Sequence, residues 1–181
     1  MDDDALWQLY REGDQSAFDE VYARHRGGLF RYVKRQCGDC PEAEELYQDV
    51  WMQAIRNRDS FQGGKLGAWL YRIARNRLID HFRARGGGNK DLDEGDAEVV
   101  ELHRDWPRQL LMLRDCVERL FGLLTGLSAA QRDAFLLKEE GGFTLEEIAR
   151  ITGCGRETVK SRLRYALTRL RKGLEDCEET S

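Results

Sequence analysis

Thr144-Leu-Glu-Glu-Ile-Ala-Arg-Ile-Thr-Gly-Cys-Gly-Arg-Glu-Thr-Val-Lys-Ser-Arg-Leu163 is the stretch on which the fold turns. Thr144 with Glu147 three residues later forms a capping box, which starts a short helix through Ile148, Ala149 and Ile151. Thr152-Gly-Cys-Gly155 then makes a tight turn into a long basic helix, and two helices so joined are a helix-turn-helix. At 100° per residue from Arg156, the side chains of Val159, Leu163, Ala166, Leu167 and Leu170 share a stripe of about 100° that faces a core. Lys160, Ser161, Arg164, Tyr165, Thr168 and Lys172 fall largely on the other side, where hydroxyls and cations suit a DNA major groove. An ordinary solvated face is the bland alternative, and a purely protein-binding helix-turn-helix is another.

Outward from this motif the same periodicity continues. Apolar residues recur every three or four positions and only Pro41 and Pro107 interrupt the chain, so the fold is expected to be all-α. A short helix is expected after Asp3 or Asp4. Asp14 caps a second through Phe18, Val21 and Tyr22, with a break at Gly27-Gly28 before Leu29 to Cys37. Asp39-Cys-Pro-Glu42 has a proline near the first helical position and acids in the first turn, opening a helix that runs to Ile55. Arg58 to Gly67 reads as loop and Ala68 to Ala84 as helix, with Leu70, Ile73, Ala74 and Leu78 on one face. Beyond Pro107, Leu110 to Leu124 is helical, and Ser128 to Gln131 is a second capping box before Phe135, Leu136 and Leu137.

The 181 residues suit two compact helical units, given that domains usually run to roughly 100–150 residues. Their bounds read as 1–85, a linker at 86–109, and 110–175. With 41% hydrophobic residues the chain can build real cores, which excludes wholesale disorder. The uncharged stretch beginning at Leu120 is about half the roughly 20 apolar residues a membrane span needs. The acidic start Met1-Asp-Asp-Asp4 lacks the basic leader of a signal peptide, so no membrane insertion and a cytoplasmic location are expected.

A net charge of −4 hides segregation. Ala68 to Arg85 holds five Arg against Asp80, and Gly155 to Lys172 holds seven basic residues against Glu157. Between them Gly86 to Asp105 carries seven acids against Lys90 and Arg104, with the glycine content of a flexible tether. Phe61, Trp69, Tyr71 and Phe82 interleave with Arg72, Arg75, Arg77, Arg83 and Arg85. Such a mixture suits unstacked single-stranded DNA, whose bases stack on rings at roughly 1–3 kcal/mol each; in a helix such rings are also ordinary core. Glu42, Glu44, Glu45 and Asp49 gather on the helix after Pro41, where carboxylates would repel phosphate and instead suit a basic protein surface or plain solvent.

Five cysteines, an odd number, suit reduced thiols better than a disulfide framework. Cys37-Gly-Asp-Cys40 is a single CxxC, and His81 and His103 stand at no recognisable zinc spacing. Structural or incidental thiols are expected, with a redox switch or a metal site as the alternative. No catalytic constellation and no cofactor motif is present in the sequence.

Ala17-Phe-Asp-Glu-Val-Tyr22, Ala43-Glu-Glu-Leu-Tyr-Gln-Asp-Val-Trp51 and Ala68-Trp-Leu-Tyr-Arg-Ile-Ala-Arg-Asn-Arg-Leu-Ile-Asp80 resemble conserved region two of the bacterial sigma-70 class. Leu127-Ser-Ala-Ala-Gln-Arg132, Thr144 to Ala149 and Glu157-Thr-Val-Lys-Ser-Arg-Leu163 resemble region four. In this order they are similar to the two-domain extracytoplasmic-function sigma factors, without the first and third regions of larger sigma factors. The resemblance implies partners: core RNA polymerase through its clamp coiled coil and flap, promoter DNA, and room for an anti-sigma factor. It implies that Glu44, Glu45, Gln48 and Asp49 dock on the clamp. Phe61 to Leu66 would take a flipped base of the minus-ten element, while Trp69, Tyr71, Arg72, Asn76 and Asp80 would support strand opening. Arg156, Lys160, Ser161, Arg164 and Tyr165 would read the minus-thirty-five element, although Tyr165 departs from the basic residue often found there. Two rival readings are a helix-turn-helix repressor, which leaves the acidic helix and the aromatic block unused, and a thiol-based sensor, which makes the cysteines central.

Overall fold

A computed structural model describes residues 1–38, 40–85 and 108–178. Among them are eight α-helices and no strand: α1 (Asp3–Arg11), α2 (Gln15–Cys37), α3 (Ala43–Arg56), α4 (Leu66–Ala84), α5 (Arg108–Thr125), α6 (Ala129–Glu139), α7 (Leu145–Thr152) and α8 (Arg156–Glu178). The linker expected at 86–109 lies almost wholly outside the described residues, and so does Asp39.

Local chemistry sets most of the helix starts. The Asp14 carboxylate accepts from the Ser16 N–H at 2.9 Å, and both capping boxes form, Ser128 with Gln131 and Thr144 with Glu147. Lys65, ahead of α4, makes no side-chain cap. Asp4 of α1 supplies one instead, accepting from the Leu66 N–H at 3.0 Å. Gly153 ends α7 in the left-handed conformation, φ 69°, which a side chain would resist.

The break expected at Gly27-Gly28 does not occur, since α2 runs straight through it. Gly28 serves packing: a Cβ there would lie 2.7 Å from the Tyr71 hydroxyl and 3.0 Å from the Glu140 carbonyl oxygen. Glycine is thus the residue that lets the second half of the chain approach α2.

That approach defines the architecture. Helices α1–α4 surround Trp7, Val21, Leu29, Val50, Leu70 and Ala74, and the same buried cluster continues into Leu136, Leu137, Phe143, Ile148 and Val159. Tyr71 meets Phe143 edge-on at 5.0 Å between ring centres. A second, smaller cluster of Leu124, Leu127, Ala166 and Leu170 joins α5 to α8. The two halves, expected as separate units, therefore pack against each other through α2 and α4 on one side and α6 and α7 on the other.

Polar groups pin the junction. Asp133, buried on α6, accepts from the Tyr32 hydroxyl at 2.7 Å, Gln36 Nε2 at 3.0 Å and Arg75 Nε at 2.6 Å. Arg132 beside it donates to Gln36 Oε1 at 3.2 Å. The Glu140 side chain, 6% exposed, is clamped by Arg31 at 2.6 Å and by Arg35, and the Tyr71 hydroxyl donates to its carbonyl at 3.0 Å. Burial pushes the Tyr71 phenol up to about 12, so it stays a donor at any working pH.

Replacing Asp133 removes the acceptor of three donors, and each buried donor left unpaired costs about 1–3 kcal/mol. Asp133→Ala is expected to part the halves while each keeps its helices. Small-angle scattering should then give a larger radius of gyration at unchanged far-ultraviolet ellipticity; an unchanged radius would refute the role given to this carboxylate.

Candidate polymerase and promoter interfaces

Three surfaces carry the residues singled out from the sequence. On α3, Leu46, Val50 and Ala54 are buried and turn Glu44, Glu45 and Gln48 outward, all exposed. Asp49 is less free, because Arg77 of α4 pairs with it. Met52, 47% exposed, extends the same face one turn beyond Gln48 and was missed in the sequence. Its spacing of four from Gln48 and eight from Glu44 was the available signal.

On α4 the side chains divide by helical phase. Arg72, Asn76 and Asp80 stand exposed at four-residue intervals, with Arg83 completing the stripe and half-buried Trp69 at its start. Tyr71 points the other way, and Phe61, ahead of the helix, is also turned inward. Phe61 is 6% exposed and packs on Trp69 at 5.6 Å, while Trp69 meets the fully buried Trp7 at 5.5 Å. Tyr71 is 3% exposed at the junction with the second half. Both rings are buried in this closed arrangement, where they belong to the core that holds up the loop and the stripe. The loop between Phe61 and Leu66 offers Gln62, Gly63, Gly64 and Lys65, all exposed.

On α8 the core stripe is Val159, Leu163, Ala166 and Leu170. Leu167, expected within it, is 38% exposed, because it falls at the stripe's edge. Arg156, Lys160, Arg164 and Tyr165 are exposed and Ser161 is half-buried. The Arg164 guanidinium lies 5.5 Å from the centre of the Tyr165 ring, a stacking that orients the cation without neutralising it. Arg156 is already paired with Glu146 at 2.6 Å and Glu157 at 3.0 Å, which braces the turn between α7 and α8 and raises the guanidinium above its usual value.

Two families match in this order: Sigma-70 region 2 over residues 21–87 and Sigma-70, region 4 over residues 110–170. The ECF RNA polymerase sigma factor SigK of Mycobacterium tuberculosis is 31% identical over 174 residues, 95% of this chain and 93% of that protein. The chain belongs to the sigma-70 family as an ECF RNA polymerase sigma factor. The RNA polymerase sigma-H factor of Pseudomonas aeruginosa is 29% identical across 96% of this sigma factor and 94% of its own length. Among solved structures, the sigma factor RpoE of Bartonella quintana, in complex with the anti-sigma factor NepR, superposes with a TM-score of 0.69 at 32% identity, covering 87% of this sigma factor and 96% of RpoE. CnrH, solved with the cytosolic domain of CnrY, shares the fold at a TM-score of 0.71 and 22% identity over 97% and 99% of the two chains. No described helix of this sigma factor is long and apolar enough to cross a membrane.

Arg164 is exposed on the outer face of α8, with its guanidinium over the Tyr165 ring. A lost bidentate contact to a base removes about 1–3 kcal/mol of discrimination, whereas a lost phosphate contact weakens every sequence alike. Arg164→Ala is expected to relax one position of the upstream consensus in a binding-site selection. The same consensus for variant and wild type would count against direct readout by Arg164.

Proposed function

We propose that this sigma factor binds core polymerase through the exposed face of α3, reads the minus-thirty-five duplex with α8, and holds the opened minus-ten strand along the Trp69, Arg72, Asn76 and Asp80 stripe with the adjoining Gln62 to Lys65 loop. The observation that carries this is the phase of three helices. Each buries its apolar side and leaves outward a set of one chemical kind: carboxylate and amide with a methionine on α3, mixed polar with Arg on α4, and cationic on α8. The work is binding rather than catalysis, done where polymerase and chromosome are, in the cytoplasm. By analogy with RpoE, an anti-sigma factor that occupies the sigma factor would serve as its off-switch.

Geometry adds a condition. Two elements about 25 base pairs apart at roughly 3.4 Å per pair are ~85 Å distant along the helix. A packed chain of this length has a radius of gyration of about 16 Å and so a breadth of ~40 Å. The halves must therefore separate for both elements to be held at once. The roughly 22 residues between Arg85 and Arg108, at about 3.3 Å each, allow a reach of ~73 Å.

A repressor would use α8 alone, with no need for the α3 face. Reversing charge at Glu44 and Glu45 is therefore expected to lower recovery of core polymerase in a pull-down at least tenfold, with duplex binding by α8 unchanged. Undiminished recovery of a folded variant would remove the docking assignment.

A further inference from the structure

The fold brings to the Cys37–Cys40 pair a histidine that the sequence keeps far from it. Cys37 is the last residue of α2, Cys40 lies in the loop leading to α3, and His81 stands in the last turn of α4. Their ligand atoms all fall within 4.8 Å of one another, and all three side chains are half-buried. The sequence reading found no partner for His81, because the partner comes from another helix. His81 Nε2 is 3.9 Å from Cys40 Sγ, and Glu42 Oε2 is 3.2 Å from the same sulfur.

Cys37 and Cys40 form a disulfide in this structure, and Cys116 pairs with Cys177 in the same way, leaving Cys154 free; the expectation of reduced thiols is corrected accordingly. An imidazole and a carboxylate stand beside the first pair. A disulfide sulfur carries no charge and is a poor metal donor. A dithiol reductant converts the pair by thiol–disulfide exchange into two thiols, itself closing to a disulfide, and as thiolates the two cysteines are soft donors beside a borderline one.

We propose that the reduced pair, with His81, binds one Zn²⁺ ion, with the Glu42 carboxylate in the fourth position. Zinc bonds of about 2.3 Å to sulfur and 2.0–2.1 Å to nitrogen at a tetrahedral angle put those donors ~3.6 Å apart, close to the separation already present. The set of two thiolates, one imidazole and one carboxylate matches zinc in number and softness better than Mg²⁺ or Ca²⁺, which take oxygen donors. Binding releases the two thiol protons, so it strengthens as pH rises. The ion would tie the end of α2 to the end of α4 across the loop that enters α3, the helix assigned here to polymerase docking. A low-molecular-weight disulfide, reduced to two thiols as the Cys37–Cys40 bond re-forms, would release it.

The test uses the full chain, freed of metal and kept reduced under anaerobic conditions, with Co²⁺ as the spectroscopic probe and Zn²⁺ as competitor. One equivalent of Co²⁺ is expected to give the intense visible d–d bands of a tetrahedral site with thiolate charge transfer, abolished by stoichiometric Zn²⁺. Cys37→Ser/Cys40→Ser should lose the signal, and His81→Ala should lower affinity at least tenfold with helical content intact. Cys116→Ser/Cys177→Ser should keep both spectrum and affinity. No one-equivalent binding by the reduced wild type, or an unchanged spectrum and affinity in either the Cys37→Ser/Cys40→Ser or the His81→Ala variant, would overturn the assignment.

Discussion

The Asp133 carboxylate is the interaction on which the arrangement of this sigma factor depends. It sits on α6 but is satisfied from α2 and α4, so a carboxylate of one half is held by the other half's side chains. A buried carboxylate is tolerated only where donors replace its lost water, and here Tyr32, Gln36 and Arg75 do so. Everything around it follows from that constraint. Gly28 gives the space, Glu140 brings a second acid to Arg31 and Arg35, and Tyr71 with Phe143 seals the seam with rings.

Such a junction is suited to being opened. Hydrogen-bonded polar groups regain water when they separate, so their net contribution to closure is small compared with that of an apolar contact of the same extent, while breaking one partner alone is costly. The closed chain is thus specific in its geometry without being locked. Lys65 shows how closure reaches the functional surfaces: at the end of the proposed minus-ten loop, it pairs with Glu147 of α7 and lies over the Phe143 ring. Burial works to raise the Glu147 carboxyl, yet hydrogen bonds from the Thr144 N–H and from Lys65 hold it below its ordinary value. The cation that would meet the DNA backbone is occupied by the other half of its own chain until the two part.

The all-helical class, the capping boxes, the helix-turn-helix and the outward faces of α3 and α8 were legible in the sequence, because each is written in residues a few positions apart. What was not legible came from contacts across the chain. Gly28 reads as a breaker until the Tyr71 hydroxyl is seen against it. The sequence left Phe61, just ahead of α4, and Tyr71, on it, open between base contact and core, because composition does not tell which way a ring faces; Phe61 turns inward against Trp69 and Tyr71 against the Glu140 end of α6. The grouping of His81 with Cys37 and Cys40 was invisible for the same reason, since 41 residues separate the histidine from the nearer cysteine.

The central claim is that one chain alternates between a closed form held at Asp133 and an open form that spans both promoter elements. The most direct measurement is the distance between labels carried as noncanonical amino acids at Asp19 on α2 and Lys172 on α8, both exposed, read by fluorescence transfer in the free chain and in the complex with core polymerase and promoter. A short distance within the ~40 Å breadth of a packed chain, lengthening well beyond it in the transcribing complex, is the predicted result. A complex that initiates transcription with the distance unchanged would contradict the account.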